Sequence, residues 1–270
     1  MSRIDDALRD LHSLDAIAAR PTALARFDPR AKILATLAFI VAVVSFDRYT
    51  VAALLPFALF PLALAEFGEV PLRLIGRKLL IASPFALMVG MFNPLIDRVP
   101  LVELLGIDIS GGWVSYASIM LRFALTVAAA LVLVAGTGFH NVCAGLGRLG
   151  APQMFTTQLL FLYRYAYVLA GEAARMSNAR ELRACGQRAL TLPVYASLLG
   201  HLLLRALERA QRIHMAMVSR GFDGDFRSTR PMHWCYADTV FVAGCVACFV
   251  LARSVDLPRM LGGLLIGVTS

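Results

Sequence analysis

The chain has 270 residues, of which 59% are hydrophobic and 16% are charged. Soluble globular domains carry about 25% charged residues, so this chain lacks the polar surface that a soluble globular protein needs. The net charge of +8 comes almost wholly from arginine. Because cytoplasmic loops of membrane proteins collect basic residues and no aromatic-basic interleaving is present, we interpret this charge as that of a membrane protein that does not bind nucleic acid.

Five apolar runs are candidates for membrane helices, which need about 20 mainly apolar residues. The runs are 33–46, 51–67, 79–96, 113–136 and 236–252. A further stretch, 260–268, is too short to cross untilted, so whether 258–268 spans is left open. A polar loop at 97–112 separates the third and fourth runs. Arg122 is the one charge in the fourth run, and both snorkelling to an interface and a functional partner are open for it.

The segment 139–230 has a different pattern. It holds 12 arginines and five acidic residues. Its apolar residues recur at spacings of three and four, which is typical of amphipathic helices rather than membrane spans. The predicted packed seam is Leu199, Leu203, Ala206, Ala210, Ile213 and Met217, and another face carries His201, Arg205, Glu208 and Arg212.

The basic stretches 20–32, 73–78 and 139–230 fall on one side if the apolar runs cross alternately. The positive-inside rule assigns that side to the cytoplasm and the loop 97–112 to the outside. The predicted fold is all-α: a polytopic protein of the bacterial inner membrane with about five to six transmembrane helices plus long cytoplasmic amphipathic helices.

The predicted domains are a cytoplasmic N-terminal segment, four transmembrane helices, a cytoplasmic helical domain and a C-terminal transmembrane region. Their bounds are 1–32, 33–137, 138–232 and 233–270. The first of them has no apolar run, so no cleaved signal peptide is expected.

Two short clusters place an arginine at the predicted end of a long helix, followed by a glycine that can adopt the left-handed C-cap conformation. Ala179–Gly186 contains Arg183, and Val218–Gly224 contains Arg220. A cation at a helix C-terminus needs no function, because the helix dipole alone stabilises it by about 0.3–1 kcal/mol. Two such arginines on one segment favour a docking surface for an acidic groove, since guanidinium groups form bidentate bonds.

No catalytic or metal-binding constellation is predicted. Cys245 and Cys248 form a C-x-x-C pattern inside an apolar run, where a redox motif would lack an accessible thiolate. His233 and Cys235 have no partner pair nearby, so we predict no structural zinc site. The apolar runs contain neither a nucleophile–base pair nor an H-E-x-x-H pattern, which argues against an intramembrane enzyme.

The sequence resembles the transmembrane T component of energy-coupling-factor transporters, in the cobalt/nickel branch called CbiQ. The N-terminal part 14–32, with its Phe-Asp-Pro-Arg-Ala-Lys string, is similar to that branch's entry to the first helix. The strings 136–140, 149–152 and 163–165, together with Glu172, resemble its middle region. Leu182-Arg183-Ala184 and Ser219-Arg220-Gly221 resemble the family's paired X-Arg-X coupling motifs. The first departs from the commoner Ala-Arg-Gly form, and Gly186 comes two residues late.

The resemblance implies a non-catalytic scaffold beneath which a pair of cytosolic ABC-type ATPases (CbiO-like) binds. Each motif arginine is expected to sit in a groove of one ATPase. The implied coupling residues are Leu182, Arg183, Ala184, Ser219, Arg220 and Gly221. The motion is expected to reach a membrane S component (CbiM-like) that captures Co²⁺ or Ni²⁺, and a small accessory membrane subunit (CbiN-like) is a further candidate partner.

Two features of the residues agree with this division of labour. The five histidines are scattered along the chain, whereas cobalt or nickel wants imidazole and other N/O ligands converging at one point. No Walker A pattern is present, so ATP hydrolysis is expected on partner chains. No cofactor is expected. The T component of a vitamin transporter and a purely structural membrane anchor remain the alternatives, and the sequence does not choose between cobalt and nickel.

Overall fold

The computed structural model describes residues 17–20, 22–47, 51–92, 100–104, 107–183, 191–222, 224 and 233–254. The predictions for Ala184, Gly186 and 258–268 lie outside these residues, as do residues 1–16 of the predicted N-terminal segment 1–32. The described chain divides into two compact units. The split unit holds the described residues of 17–138 and 233–254, and the inserted unit holds those of 139–224.

The all-α prediction is confirmed, because the described residues fold mainly into eight α-helices. They are α1 (Pro29–Val44), α2 (Leu59–Phe67), α3 (Leu72–Gly90), α4 (Gly111–Thr137), α5 (Phe139–Arg148), α6 (Gln153–Arg183), α7 (Leu192–Val218) and α8 (Tyr236–Ser254). Short 3₁₀ helices cover Ala23–Arg26 and Ala52–Ala58.

The sequence prediction differs from the structure at two places in the split unit. The run 51–67 is not one helix: its first half is the 3₁₀ helix that contains Pro56, a residue without the N–H that an α-helix interior needs. The loop 97–112 contains an antiparallel hairpin of β1 (Pro100–Leu104) and β2 (Ile107–Ser110). Alternating apolar and polar residues on both sides of Leu105-Gly106 carry that signal.

Asp238 joins the beginnings of α1 and α8. Its Oδ1 accepts a hydrogen bond from the backbone N–H of Asp28 at 2.8 Å, and its Oδ2 accepts one from that of Cys235, also at 2.8 Å. Asp28 in turn caps α1 by accepting from the N–H of Arg30 at 2.9 Å, with Pro29 at the first helical position. Lys32 is buried beside these two carboxylates and interacts with both electrostatically.

Further contacts show that α1 and α8 run parallel over their whole length. Near their beginnings, the rings of Phe27 and Phe241 stack with centroids 4.8 Å apart. In the middle, Phe39 and Phe249 are 5.6 Å apart. At their ends, Arg253 donates to the carbonyl of Ser45 at 3.3 Å and lies over the ring of Phe46.

The centre of the split unit is a cluster of phenylalanine rings. Phe39 is fully buried and contacts three other rings, those of Phe57, Phe60 and Phe249. Leu125 and Ala129 of α4 close the cluster from another side. Burying one such aromatic side chain contributes about 1.5–3 kcal/mol in water, and in a bilayer the same close packing acts through dispersion contacts.

Helices α2 and α4 run antiparallel to α1. At the end where α1 begins, the backbones of Gly68 and Gly136 both approach the side chain of Leu24. At the other end, Arg122 of α4 donates to the carbonyl of Asp47. This identifies a partner for the intramembrane arginine. It also means that the chain leaves the split unit after Gly138, and returns before Asp238, at the same end.

Two helices are long and apolar enough to span a bilayer, Gly112–Thr137 and Tyr236–Ser254. The apolar stretch Ala53–Phe67, which combines the second 3₁₀ helix with α2, is shorter. Helix α1 has 16 residues, which corresponds to a length of about 24 Å. The hydrocarbon core of a bilayer is about 30 Å thick, so α1 is shorter than the core. Helix α3 carries three basic residues in its first turns, which lowers its hydropathy. Its later residues Leu80, Ile81, Phe85 and Met88 are highly exposed, as lipid-facing side chains are. The count of five to six spans stays a prediction.

The end of α3 and the beginning of α4 meet at a glycine. A Cβ at Gly90 would lie 2.9 Å from the ring of Tyr116, whereas a Cβ at Gly76 on the same helix would meet nothing within 4 Å. Of these two glycines, therefore, only Gly90 lies where a side chain would collide with α4.

Replacing Asp238 by alanine should lower the free energy of unfolding by about 2–4 kcal/mol, because each buried N–H left unpaired costs about 1–3 kcal/mol. Unfolding of the purified protein in detergent, followed by circular dichroism, measures this. Glu66→Ala is the control, since Glu66 is exposed and such changes usually stay within about 0.5 kcal/mol. Equal stability of the two variants would contradict the role of Asp238.

The two glycines of α3 offer a second, internally matched pair. Gly90→Ala should destabilise the protein by about 1–2 kcal/mol through overpacking against Tyr116. Gly76→Ala should stabilise it by up to about 1 kcal/mol, because alanine has the higher helix propensity. The same unfolding measurement compares both variants with the parent, and a stabilising Gly90→Ala would show that the helices do not pack as described.

Candidate coupling site

The inserted unit begins with a helical hairpin that is closed by a left-handed glycine. Gly150 has φ +104°. The N–H of Ala151 donates to the carbonyl of Leu146 at 3.1 Å, and that of Gly150 to Gly147 at 3.4 Å. These two bonds end α5 in a Schellman motif, and Pro152 then leads into α6. Across the hairpin, the ring of Phe139 stacks on that of Tyr163 at 4.4 Å.

Helix α7 ends as the sequence predicts. The N–H of Phe222 donates to the carbonyl of Met217 at 3.0 Å, and that of Gly221 to Val218 at 2.9 Å. Gly221 has φ +77°, which is the left-handed conformation that a Schellman motif needs. Ser219 closes the last turn by donating from Oγ to the carbonyl of Met215 at 2.8 Å. Arg220 is exposed between this turn and the glycine.

The first cluster is described up to its arginine. Arg183 is the last residue of α6 and is exposed, and Leu182 beside it is 84% exposed. Within the part of the chain that the structure describes, neither Arg183 nor Arg220 forms an ion pair. Two guanidinium groups on the ends of two long helices are thus available to an acidic partner, while the roles of the six motif residues remain predictions.

The predicted apolar seam of α7 is only partly correct. Ala206, Ile213 and Met217 are half-buried, as a packed seam requires. Leu199 and Leu203 are instead exposed by 49% and 61%, and Ala210 is exposed as well. Leu198 and Leu202 take the half-buried positions. The reason is that neighbouring apolar positions offer two faces of the same helix, so spacing alone did not determine which one packs.

An exposed apolar stripe therefore runs along α7. Its members share a spacing of three or four residues and are all at least about half exposed: Leu192, Tyr195, Leu199, Leu203 and Leu207. A helix in water usually hides such a stripe. The stripe is a candidate surface for an apolar partner.

Sequence reasoning missed an ion-pair bridge between α6 and α7. Glu172 accepts from Arg175 on its own helix, with Nη2 at 2.5 Å, and from Nη1 of Arg205 on α7. Hydrogen bonds from Arg175 and Arg205 hold the pKa of Glu172 below its ordinary value, so it stays ionised near neutral pH. A signal was present, because Glu172 is the first acidic residue after Asp108 and has an arginine three positions on.

The histidines and cysteines do not form a site in the described part of the chain. Among those residues, no group of three or more His, Cys, Asp or Glu side chains could hold a metal ion. Cys245 and Cys248 lie within the apolar helix α8, where Cys245 is half-buried and Cys248 is exposed, so the interpretation of both as small buried residues is wrong for Cys248.

The chain was compared with known proteins. Residues 21–232 match the model of a family described as CbiQ, cobalt transport protein. The cobalt transport protein CbiQ of Rhodobacter capsulatus is 31% identical over 118 residues, which are 43% of this chain and 48% of that protein. The nickel permease LarQ of Lactiplantibacillus plantarum is 32% identical over 100 residues, 36% and 37% of the two chains.

A third relative is matched over a longer stretch. The cobalt transport protein CbiQ of Salmonella typhimurium is 29% identical over 162 residues, 54% of this chain and 70% of that protein. The chain thus spans half or less of the length of the first two relatives and about two thirds of the third.

Proposed function

Because the chain belongs to the CbiQ family of cobalt transport proteins, we propose that it is the scaffold of an energy-coupling-factor importer for Co²⁺ or Ni²⁺. In this proposal, cytosolic ABC-type ATPases bind to the inserted unit and hydrolyse ATP. Their motion passes through α6 and α7 to a membrane subunit that captures the metal. The chain itself carries out no reaction, and it resides in the bacterial inner membrane.

The observation that carries the proposal is the end of α7. Arg220 follows a helix of 27 residues and precedes a left-handed glycine, so its side chain projects from the tip of a rigid rod. Arg183 stands in the same way at the end of the 31-residue helix α6. A planar guanidinium on such a rod suits a carboxylate-lined groove because it can form two parallel hydrogen bonds.

The packing of the split unit supports capture of the metal by another subunit. A divalent ion needs oxygen or nitrogen ligands, or water, along its path. The centre of this unit is filled instead by the rings of Phe39, Phe57, Phe60 and Phe249. Substrate selection, including the choice between cobalt and nickel, therefore belongs to the partner, which we propose contacts the apolar stripe of α7.

The family match favours this reading over the T component of a vitamin transporter. A purely structural membrane anchor would not need an exposed arginine at the end of each of the two long helices. Two questions can be tested directly. The first is which side of the membrane the inserted unit faces, and the second is whether Arg183 and Arg220 are needed for metal uptake.

The orientation can be tested by thiol labelling of single-cysteine variants in a background whose own cysteines are replaced. Cysteine at the exposed position Gln211 of α7 should react with a membrane-impermeant maleimide only after the cells are permeabilised. Cysteine at Asp108 of β2 should react in intact cells. Labelling of Gln211→Cys in intact cells would place the inserted unit outside and exclude any cytosolic ATPase as its partner.

Arg183→Ala and Arg220→Ala should each lower metal uptake, and the double variant should nearly abolish it. Truncating one partner of a buried charge pair costs about 2–5 kcal/mol, so the ATPase should also be lost on co-purification. Uptake of cobalt and of nickel by cells that express the complete transporter measures the effect. Arg212→Ala is the matched control, an exposed arginine that lies within α7 rather than at its end. A double variant that imports metal normally would refute the coupling role.

A further inference from the structure

The bridge at Glu172 lies where the two long helices of the inserted unit come together. Its carboxylate is 17% exposed, whereas the side chains of Arg175 and Arg205 are 67% and 60% exposed. The acid is therefore the half-hidden centre of the cluster. The pair Glu208–Arg212 is different, because it lies within α7, is separated by 3.7 Å and exposes both side chains by 66% or more.

The bridge lies several helical turns away from each motif arginine. Arg183 lies 11 residues beyond Glu172 on α6, and Arg220 lies 15 residues beyond Arg205 on α7. At 1.5 Å of rise per residue, these separations are about 16 Å and about 22 Å. Each motif arginine thus stands at the end of a stiff arm whose other fixed point is the bridge.

Elsewhere along these arms the side chains hold the helices together weakly. Most of α7 is exposed, including the whole apolar stripe. If a partner displaces Arg183 or Arg220, the two helices can slide independently and the displacement is not transmitted. A contact that fixes the point where the helices cross prevents this. An acid that pairs with both helices can fix it without preventing rotation about the contact, because its two oxygens pair with two different guanidinium groups.

We propose that Glu172, through Arg205, is the pivot that makes α6 and α7 move as one lever pair when a partner acts on their ends. Glu172 and Arg205 are positioning residues: they touch neither ATP nor metal. This inference rests on the proposed function, because the pivot has a role only if a partner moves Arg183 and Arg220 at the ends of the two helices.

The test compares coupling with assembly in the complete transporter, purified with its partners and reconstituted in liposomes. Glu172→Gln and Arg205→Gln should leave the amount of co-purified ATPase unchanged. Both should lower metal uptake by about fivefold to tenfold, at the low end of measured coupling between sites. The number of ATP molecules hydrolysed per imported metal ion should rise accordingly, because the ATPases still close but their motion is lost.

Two further variants make the test specific. The exchange Glu172→Arg with Arg205→Glu should recover most of the uptake, since the new glutamate can pair with both Arg175 and the new arginine. The control Glu208→Gln with Arg212→Gln should change neither uptake nor the ATP ratio. The pivot is refuted if Glu172→Gln leaves uptake and the ATP ratio unchanged, if uptake falls only in proportion to the amount of complex lost, or if the exchange recovers no uptake.

Failure of the pivot can be told apart from failure of the proposed function. A chain with intact Glu172 that recruits no ATPase, or that recruits it without Arg183 and Arg220, defeats the proposed function itself. A chain that recruits its ATPase through those arginines but is indifferent to Glu172 defeats only the pivot.

Discussion

The arrangement of the split unit depends on one carboxylate. Asp238 accepts the backbone N–H groups of Asp28 and Cys235, so that α1 and α8 begin side by side. Once these beginnings coincide, the phenylalanine contacts and the Arg253–Ser45 contact follow from two parallel helices of similar length. The antiparallel α4 then brings the chain back to the same end, which is where the inserted segment departs and returns. A single buried acid thus holds the beginnings of α1 and α8 together at this end of the split unit.

The two units differ in how closely their helices are packed. The split unit is packed around rings that fit closely, and its glycine contacts at Gly68, Gly90 and Gly136 leave little room for helices to slide. The inserted unit is built from long helices whose apolar and charged surfaces are largely uncovered. Close packing resists deformation, whereas exposed helices joined by a few polar contacts can tilt. Such a contrast suits a protein that passes motion from one partner to another while it stays anchored.

The sequence predicted the parts of this structure whose signals are local. The apolar runs located α1, α4 and α8, and the Arg-Gly pattern located the end of α7. Local signals also explain two misses, because Pro56 and the alternating residues around Gly106 were visible but were outweighed by overall hydropathy. The face of α7 could not be chosen, since Leu198 and Leu199 satisfy nearly the same spacing. Contacts such as Asp28–Asp238 and Glu172–Arg205 join residues that are far apart in the chain. The spacing of apolar residues along the sequence carries no information about them.

The separation of Asp28 from Asp238 also affects how the protein is made. The two residues are 210 positions apart, and a ribosome that adds about 5–20 residues per second needs roughly 10–40 s to cover that distance. Throughout this interval α1 lacks α8, the helix whose Phe249 packs against Phe39. The ring cluster can therefore close only when synthesis is nearly complete. A nascent chain that stops before α8 leaves an open seam, which membrane quality control can recognise.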